Sequence, residues 1–501
     1  METRLLGPIA ILLGTLVVVP TANAAPLRPI AGSATNVDSA PKAAAKDPAV
    51  TVVERWVLGL SQATLENGLR VIMMPDPQSP TVSIAVTYDV GSRNEVDGQS
   101  GFAHLFEHMM FQGSRNVAKG EHFRLISSRG GQLNGTTSSD RTNYFETLPA
   151  NELELGLWLE ADRMRWLDIS SENFENQRAV VKEEYRMRVE NAAYRPAMIE
   201  LERLIFEGYS PYAHPTIGSM ADLDGAKLEW VRDFHSKFYR PNNAVLSIAG
   251  GFEPDQTMEL VRRLFEPAES ADVPKFVEPV DLPPRSQEIT KSVSDTNAKT
   301  AALLFGWRIP KARSIDHFAL EMAARVLSDG ESSILYDLLV RKKALARDVS
   351  VFTYDHRGPD AFVIMVELTE QAKISEVEAL INKELRNLAT QGPNQAVLAR
   401  ARQRTKSAFV FGLQSNQSRA TTLGEYAVFF GNPRLIARDL ESLLEVDPNR
   451  VKFAVSKYLT QSSRCLVTVT PTTISPPLPA SQKVDVRTQA DNRSTPKQEN
   501  H

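Results

Sequence analysis

Apolar positions along this chain switch between a two-residue and a three-to-four-residue period, and the switches divide it into strands and helices. The turn signal Glu66-Asn67-Gly68 precedes the β-rich run 69–74, LRVIMM, and a second strand is predicted over 81–90. A polar loop, 91–101, leads into GFAHLFEHMMFQG, residues 101–113, which has helical periodicity. Gly130-Gly131 then breaks the structure, and 134–147 reads as paired strands rich in Thr, Tyr and Phe. Few large aliphatic residues occur there, which marks a half-exposed strand: either a plain solvent-facing hairpin or an edge open to an extended peptide. A helix over 151–167 carries the stripe Leu153, Leu157, Leu159, Met164 and Leu167, and Ser171 is the predicted cap of another over 172–191. A turn-rich loop at 212–218, a helix over 228–239, a strand over 244–249 and a helix over 258–265 complete this half.

Residues 266–286 are rich in Pro, Glu and Asp, lack periodicity and read as a linker. Beyond them, strands are predicted over 287–293, 300–307, 349–354, 361–367 and 465–469. Helices are predicted over 317–327, 333–343, 374–390, 394–413 and 451–458. An offset of 220 residues sets Val231 against Val451, Ser236 against Ser456, Lys237 against Lys457 and Leu246 against Leu466. Both segments read helix, polar turn, strand, which supports two similar halves.

The ends differ from this body. Arg4, an apolar run over 5–19 and the small-residue site Ala22-Asn23-Ala24 form a secretory signal over 1–24. The run is short for a spanning helix, which needs about 20 apolar residues; a retained anchor is the alternative. The resulting division is signal peptide 1–24, flexible leader 25–50, first domain 51–265, linker 266–286, second domain 287–470 and disordered tail 471–501. Composition is that of a globular protein, 42% hydrophobic and 24% charged over 501 residues. A net charge of −4 gives no electrostatic footprint for nucleic acid or an anionic membrane. With Cys465 as the single cysteine, no internal disulfide exists and any metal site must use His and carboxylate ligands.

Candidate chemistry concentrates at His104, Glu107 and His108, in the order H-x-x-E-H. On a helix these positions share one face, so two neutral imidazoles can grip one zinc ion with a carboxylate beside it. This is the inverted form of the H-E-x-x-H zinc motif. The competing reading is an amphipathic core helix whose histidines fall at that spacing by chance. The pair Glu183-Glu184 lies on the 172–191 helix, about 100° apart on its wheel. At most one of the two can face a metal, and a solvent-facing pair is the plainer reading.

The segments HLFEHMMFQGS (104–114), LNGTTSSDRTNYFETLP (133–149), EADRM (160–164), NQRAVVKEE (176–184) and FYRPNNAVLSIAGGF (238–252) together resemble the inverted-motif zinc peptidases of the pitrilysin and insulinase group, in its mitochondrial processing peptidase-like branch. The resemblance implies an α+β fold of two similar halves, each a mostly antiparallel sheet covered by helices, forming half of a clamshell. It implies one Zn2+ per chain on His104, His108 and Glu184, the last lying 76 positions after His108, with Glu183 as the fallback. Glu107 becomes the general base of an exported zinc endopeptidase, periplasmic or secreted, and Asn134 helps to hold the peptide substrate as an added strand.

One departure stands out. Active relatives carry an Arg and a Tyr seven residues apart in the second half. Here Arg341 fits a substrate-binding role, but Asp348 occupies the tyrosine position, and the alternative register places Arg347 there. The expectation is therefore a homo- or heterodimer, with a paralogous subunit supplying the Arg/Tyr pair. The alternative functions are a catalytically weak or inactive scaffold subunit and a binding module with structural histidines.

Overall fold

The computed structural model describes residues 46–472 apart from 279 and 281. The predicted signal peptide, most of the leader and the tail from 473 lie outside the described residues.

Two sheets organise the chain. The first contains β1 (Ser61–Thr64), β2 (Arg70–Pro75), β3 (Thr81–Tyr88), β4 (Gln132–Thr137), β5 (Thr142–Pro149) and β6 (Ala244–Gly250), in the order β1-β2-β6-β3-β5-β4. The second contains β7 (Ile289–Asp295), β8 (Ala302–Ile309), β9 (Ala346–Thr353), β10 (Asp360–Leu368) and β11 (Cys465–Pro471), in the order β7-β11-β8-β10-β9. Each sheet has one parallel pair, β2 with β6 and β7 with β11; the other pairings are antiparallel. Setting β1 aside, the two orders superimpose strand for strand, so the repeat signalled by the 220-residue offset is a repeat of topology. Helices Leu228–Phe238 and Pro448–Tyr458 stand in equivalent places before β6 and β11.

The central strands β3 and β6 are buried along almost their whole length, which requires cover on both faces. The inner face of the first sheet packs on helices of its own half, through Ile84, Val86, Phe106, Leu157 and Val261. The outer face is covered from the other half, by helix Asn416–Phe430, whose Ala420, Leu423 and Ala427 lie against Ile72, Ala85, Val245 and Ala249. The exchange is reciprocal. Helix Arg195–Ile205 of the first half buries Leu201, Leu204 and Ile205 on Ala302, Leu304, Val467 and Val469 of the second sheet. Small residues permit both approaches: a Cβ on Gly306 would come within 2.3 Å of Ile205 Cδ1, and one on Gly424 within 2.4 Å of Thr87 Oγ1.

Local chemistry moves some predicted boundaries. The leader expected over 25–50 ends earlier, because Asp47 caps helix Pro48–Leu58 by accepting the Ala49 N–H at 2.9 Å. Proline at the first helical position and the buried stripe Val50, Val53 and Val57 fix that helix. The helix predicted over 172–191 is capped by Ser170 rather than Ser171, and its α-helical part, Ser171–Tyr185, passes into a π-helical turn, Arg186–Glu190. Among the described residues, no helix is long and apolar enough to cross a membrane.

A polar joint ties the β4–β5 hairpin to the second half. Asp140 at its tip pairs with Arg93 at 3.0 Å, and accepts from the Tyr212 hydroxyl at 2.8 Å and the Arg357 N–H at 3.1 Å. The Tyr212 ring stacks on His356 at 4.1 Å. Behind it, buried Asp360 lies 3.3 Å from His356 Nδ1 and 2.8 Å from His317 Nε2. Burial works against the charged forms of both histidines, yet the shared carboxylate outweighs it and raises both pKa values. Burial likewise works against ionised Asp360, but the two imidazoles hold its carboxyl below the ordinary carboxylate range.

Two outcomes follow from this packing. Gly424→Leu is expected to lower the unfolding free energy by about 1–3 kcal/mol through overpacking, visible as a lower denaturation midpoint. For the joint, raised histidines stabilise fully below their unfolded pKa of about 6.5, and a depressed aspartate stabilises fully above about 3.9. The melting-temperature gap between wild type and Asp360→Asn should therefore be widest between those values. It should narrow as pH rises through the raised histidine pKa values, and again as pH falls through the lowered Asp360 value.

Candidate metal centre

The motif helix, Phe102–Met109, starts where Gly101 turns the chain with φ of +90°. Its first turn leaves backbone N–H groups unpaired. The Glu95 carboxylate accepts two N–H bonds there, from Gly101 at 2.9 Å and Ala103 at 2.7 Å, at the positive end of the helix dipole. Leu105, Phe106 and Met109 bury the helix in the core of the first half. The remaining face carries the three motif residues.

His104 and His108 stand edge to face, with ring centroids 4.9 Å apart. The helix Ser171–Tyr185 packs alongside and delivers Glu184, whose Oε2 lies 3.1 Å from His108 Nε2 and 3.7 Å from His104 Nε2. One ligand atom from each of the three residues lies within 4.8 Å of the others. The second oxygen of Glu184 pairs with Arg188 Nη1 at 2.9 Å, across one turn of the π-helical segment. Glu183 points elsewhere: it is exposed and pairs with Arg186.

Burial, with His108 beside it, lowers the His104 pKa to about 3, so its ring stays neutral, the form that ligates a metal. Burial alone would raise Glu184, but the two imidazoles and Arg188 hold it ionised. His104 Nδ1 and His108 Nε2 are buried without a hydrogen-bond partner, the latter facing Glu184 at ion-pair distance only. Two ring nitrogens and one carboxylate oxygen, converging in a buried place, fit a divalent cation. The donor set is that of a catalytic zinc site with one position open. Two other His/acid groups occur among the described residues, His122 with Glu146 and Glu160, and His317 with Glu321 and Asp355. Each already contains a cation: Arg163 bonds Glu160 at 2.9 Å, and Arg325 bonds Glu321 at 2.9 Å.

Glu107 lies beside the cluster, 3% exposed. Burial raises its pKa, and a hydrogen bond donated by the Thr137 hydroxyl to Oε2, 2.5 Å long, pulls it back. Asn134 sits on β4, the edge strand of its sheet, with Oδ1 accepting the Gly135 N–H at 2.9 Å. Arg341 is not brought to the cluster by any contact: it pairs with Asp337 at 3.7 Å, while Asp348 accepts from Ser350 at 3.0 Å. Thr137, Arg188 and Glu95 escaped sequence reasoning. Alternation along β4 could have found Thr137, since it shares a face with Gly135 rather than with Asn134.

Comparison with known proteins identifies the family. The family description "Insulinase (Peptidase family M16)" matches residues 70–211, and "Peptidase M16 inactive domain" matches 226–405. The second match fits the helix Ile315–Ser328, where an offset of 217 sets Glu321, Ala324 and Arg325 opposite the motif residues. The zinc protease PqqE of Helicobacter pylori is 29% identical over 73% of this chain and 82% of its own length. An uncharacterised zinc protease of Mycobacterium leprae is 26% identical over 80% of this chain and 89% of its own. The crystal structure of a protease from Helicobacter pylori superimposes with a TM-score of 0.77 at 27% identity, over 82% of this chain and 99% of that one. This chain belongs to the insulinase-type peptidases, family M16.

Proposed function

We propose that this chain is an exported zinc endopeptidase that hydrolyses peptides or unfolded polypeptides, acting in the periplasm or outside the cell. The observation that carries this reading is the convergence of His104, His108 and Glu184 on one point, with Glu107 one residue from a ligand. A bound zinc ion supplies Lewis acidity and brings the pKa of water towards about 7.

The chain's own residues do the rest. His104, His108 and Glu184, the last anchored by Arg188, hold the ion. Glu107 takes a proton from the attacking water and returns it to the leaving amine. Its Oε2 is engaged by Thr137, so Oε1 is the oxygen that handles the proton. The free edge of β4 offers its backbone to an extended peptide, which lies beside Glu107 as an added strand, with Asn134 on that edge. A backbone-read substrate explains a preference for unfolded chains, since folded proteins have their N–H and C=O groups paired.

The second half lacks the family tyrosine: Arg341 faces Asp337, and Asp348 takes the expected place. We propose that a second, paralogous chain completes the site with an Arg/Tyr pair, in a dimer that closes two half-shells on the peptide.

Glu107→Gln is expected to cut kcat by at least about a hundredfold while metal content stays at one ion per chain. Glu184→Gln should lose the ion itself, measured by metal analysis after dialysis against a weak chelator. Retained turnover in Glu107→Gln ends the hydrolase assignment. For the dimer, Asp348→Tyr should raise turnover of the isolated chain; full activity of the wild-type chain alone, unaffected by this change, ends that part.

A further inference from the structure

We infer that Thr137 is a positioning residue for Glu107, and that through it the substrate-docking strand fixes the aim of the general base. This rests on the hydrolase reading above. Strand β4 alternates its side chains across two faces. Thr136 and its neighbour Thr137 show the division: the Thr136 hydroxyl bonds Asn143 at 2.6 Å, while the Thr137 hydroxyl bonds Glu107 Oε2 at 2.5 Å. On the same face as Thr137, Gly135 leaves room for the stem of Glu107. A Cβ at Gly135 would lie 3.0 Å from Glu107 Cγ and 3.2 Å from both Phe111 Cε2 and Tyr144 Cδ1. The missing side chain seats the stem and the hydroxyl holds the tip.

The contact serves a proton-transferring carboxylate in particular. A hydroxyl donates most strongly to a carboxylate, and it can still donate to the carbonyl oxygen of a carboxylic acid. Thr137 therefore keeps its bond to Oε2 whether Oε1 carries a proton or not, and the side chain stays aimed throughout turnover. The strand that makes this contact is itself held firmly. It pairs with β5 from Gln132 to Thr137, and the hairpin tip is fixed by Asp140 to Arg93, Tyr212 and the Arg357 backbone. Among the described residues the opposite edge of β4 has no partner strand, so a peptide added there docks on the backbone that orients the base.

The test compares Thr137→Val, which keeps the shape and removes the donor, with Thr137→Ser, which restores it. Both are made in the full zinc-loaded chain and assayed on a short quenched fluorescent peptide. Removing a hydrogen bond to a charged group should lower kcat by about ten- to a hundredfold in Thr137→Val. KM, metal content and peptide affinity of the metal-free chain, read by fluorescence anisotropy, should stay within about twofold, and Thr137→Ser should recover most of kcat. In the Glu107→Gln background, Thr137→Val should change residual turnover by less than about twofold, because the two changes then act on one unit. Wild-type kcat in Thr137→Val overturns the inference, as does a loss confined to KM or metal content, or a loss that Thr137→Ser fails to recover. A chain that binds zinc and cleaves no peptide either as wild type or as Asp348→Tyr overturns the hydrolase reading, and this inference falls with it.

Discussion

The site depends on one contact between two helices remote in sequence: the turn carrying His104 and His108 must lie against the turn carrying Glu184. A buried carboxylate is costly unless a cation compensates it. Arg188 engages one oxygen of Glu184 and leaves the other facing the rings. That second oxygen and the two rings are where a divalent cation would complete the compensation. Everything around it keeps that geometry: Glu95 caps the motif helix, Phe106 and Met109 anchor it below, and the π-helical turn brings Arg188 back over Glu184.

Beside the site, β4 is an edge strand of six residues whose inner face touches Glu107. Specificity of such a surface comes from where alternate side chains of the added strand fall, while its affinity comes from backbone bonds that every peptide offers. On the proposed function, chemistry and recognition share one strand.

Much of this was legible in the sequence, for physical reasons that can be named. H-x-x-E-H is local, and helical spacing alone puts its residues on one face. The choice between Glu183 and Glu184 is not local, but it was present in the stripe Phe174, Gln177, Val181 and Glu184, which is buried at helical spacing. The heptad-like pattern passes through a polar position and so reads poorly as an apolar face. Among the helices that escaped are two that cross between halves. Arg195–Ile205 begins after Tyr194 at φ of +65°, with no capping side chain, and Asn416–Phe430 buries Ala420, Gly424 and Ala427, residues too small to give hydrophobic contrast. Arg195–Ile205 does carry an apolar stripe, Ala197, Met198, Leu201, Leu204 and Ile205, whereas in Asn416–Phe430 close approach to a distant sheet takes the place of amphipathicity. Helix Pro48–Leu58 was missed although Asp47-Pro48 is a start signal, because the alanine-rich stretch before it masks the onset.

The crossing helices bear on how the molecule comes into being. The outer surface of the first sheet is roofed by residues 416–430 of the second half. Until that roof is in place, Ile72, Ala85, Val245 and Ala249 lack the cover of Ala420, Leu423 and Ala427. The half that carries the candidate metal centre therefore completes its packing only when the other half is present.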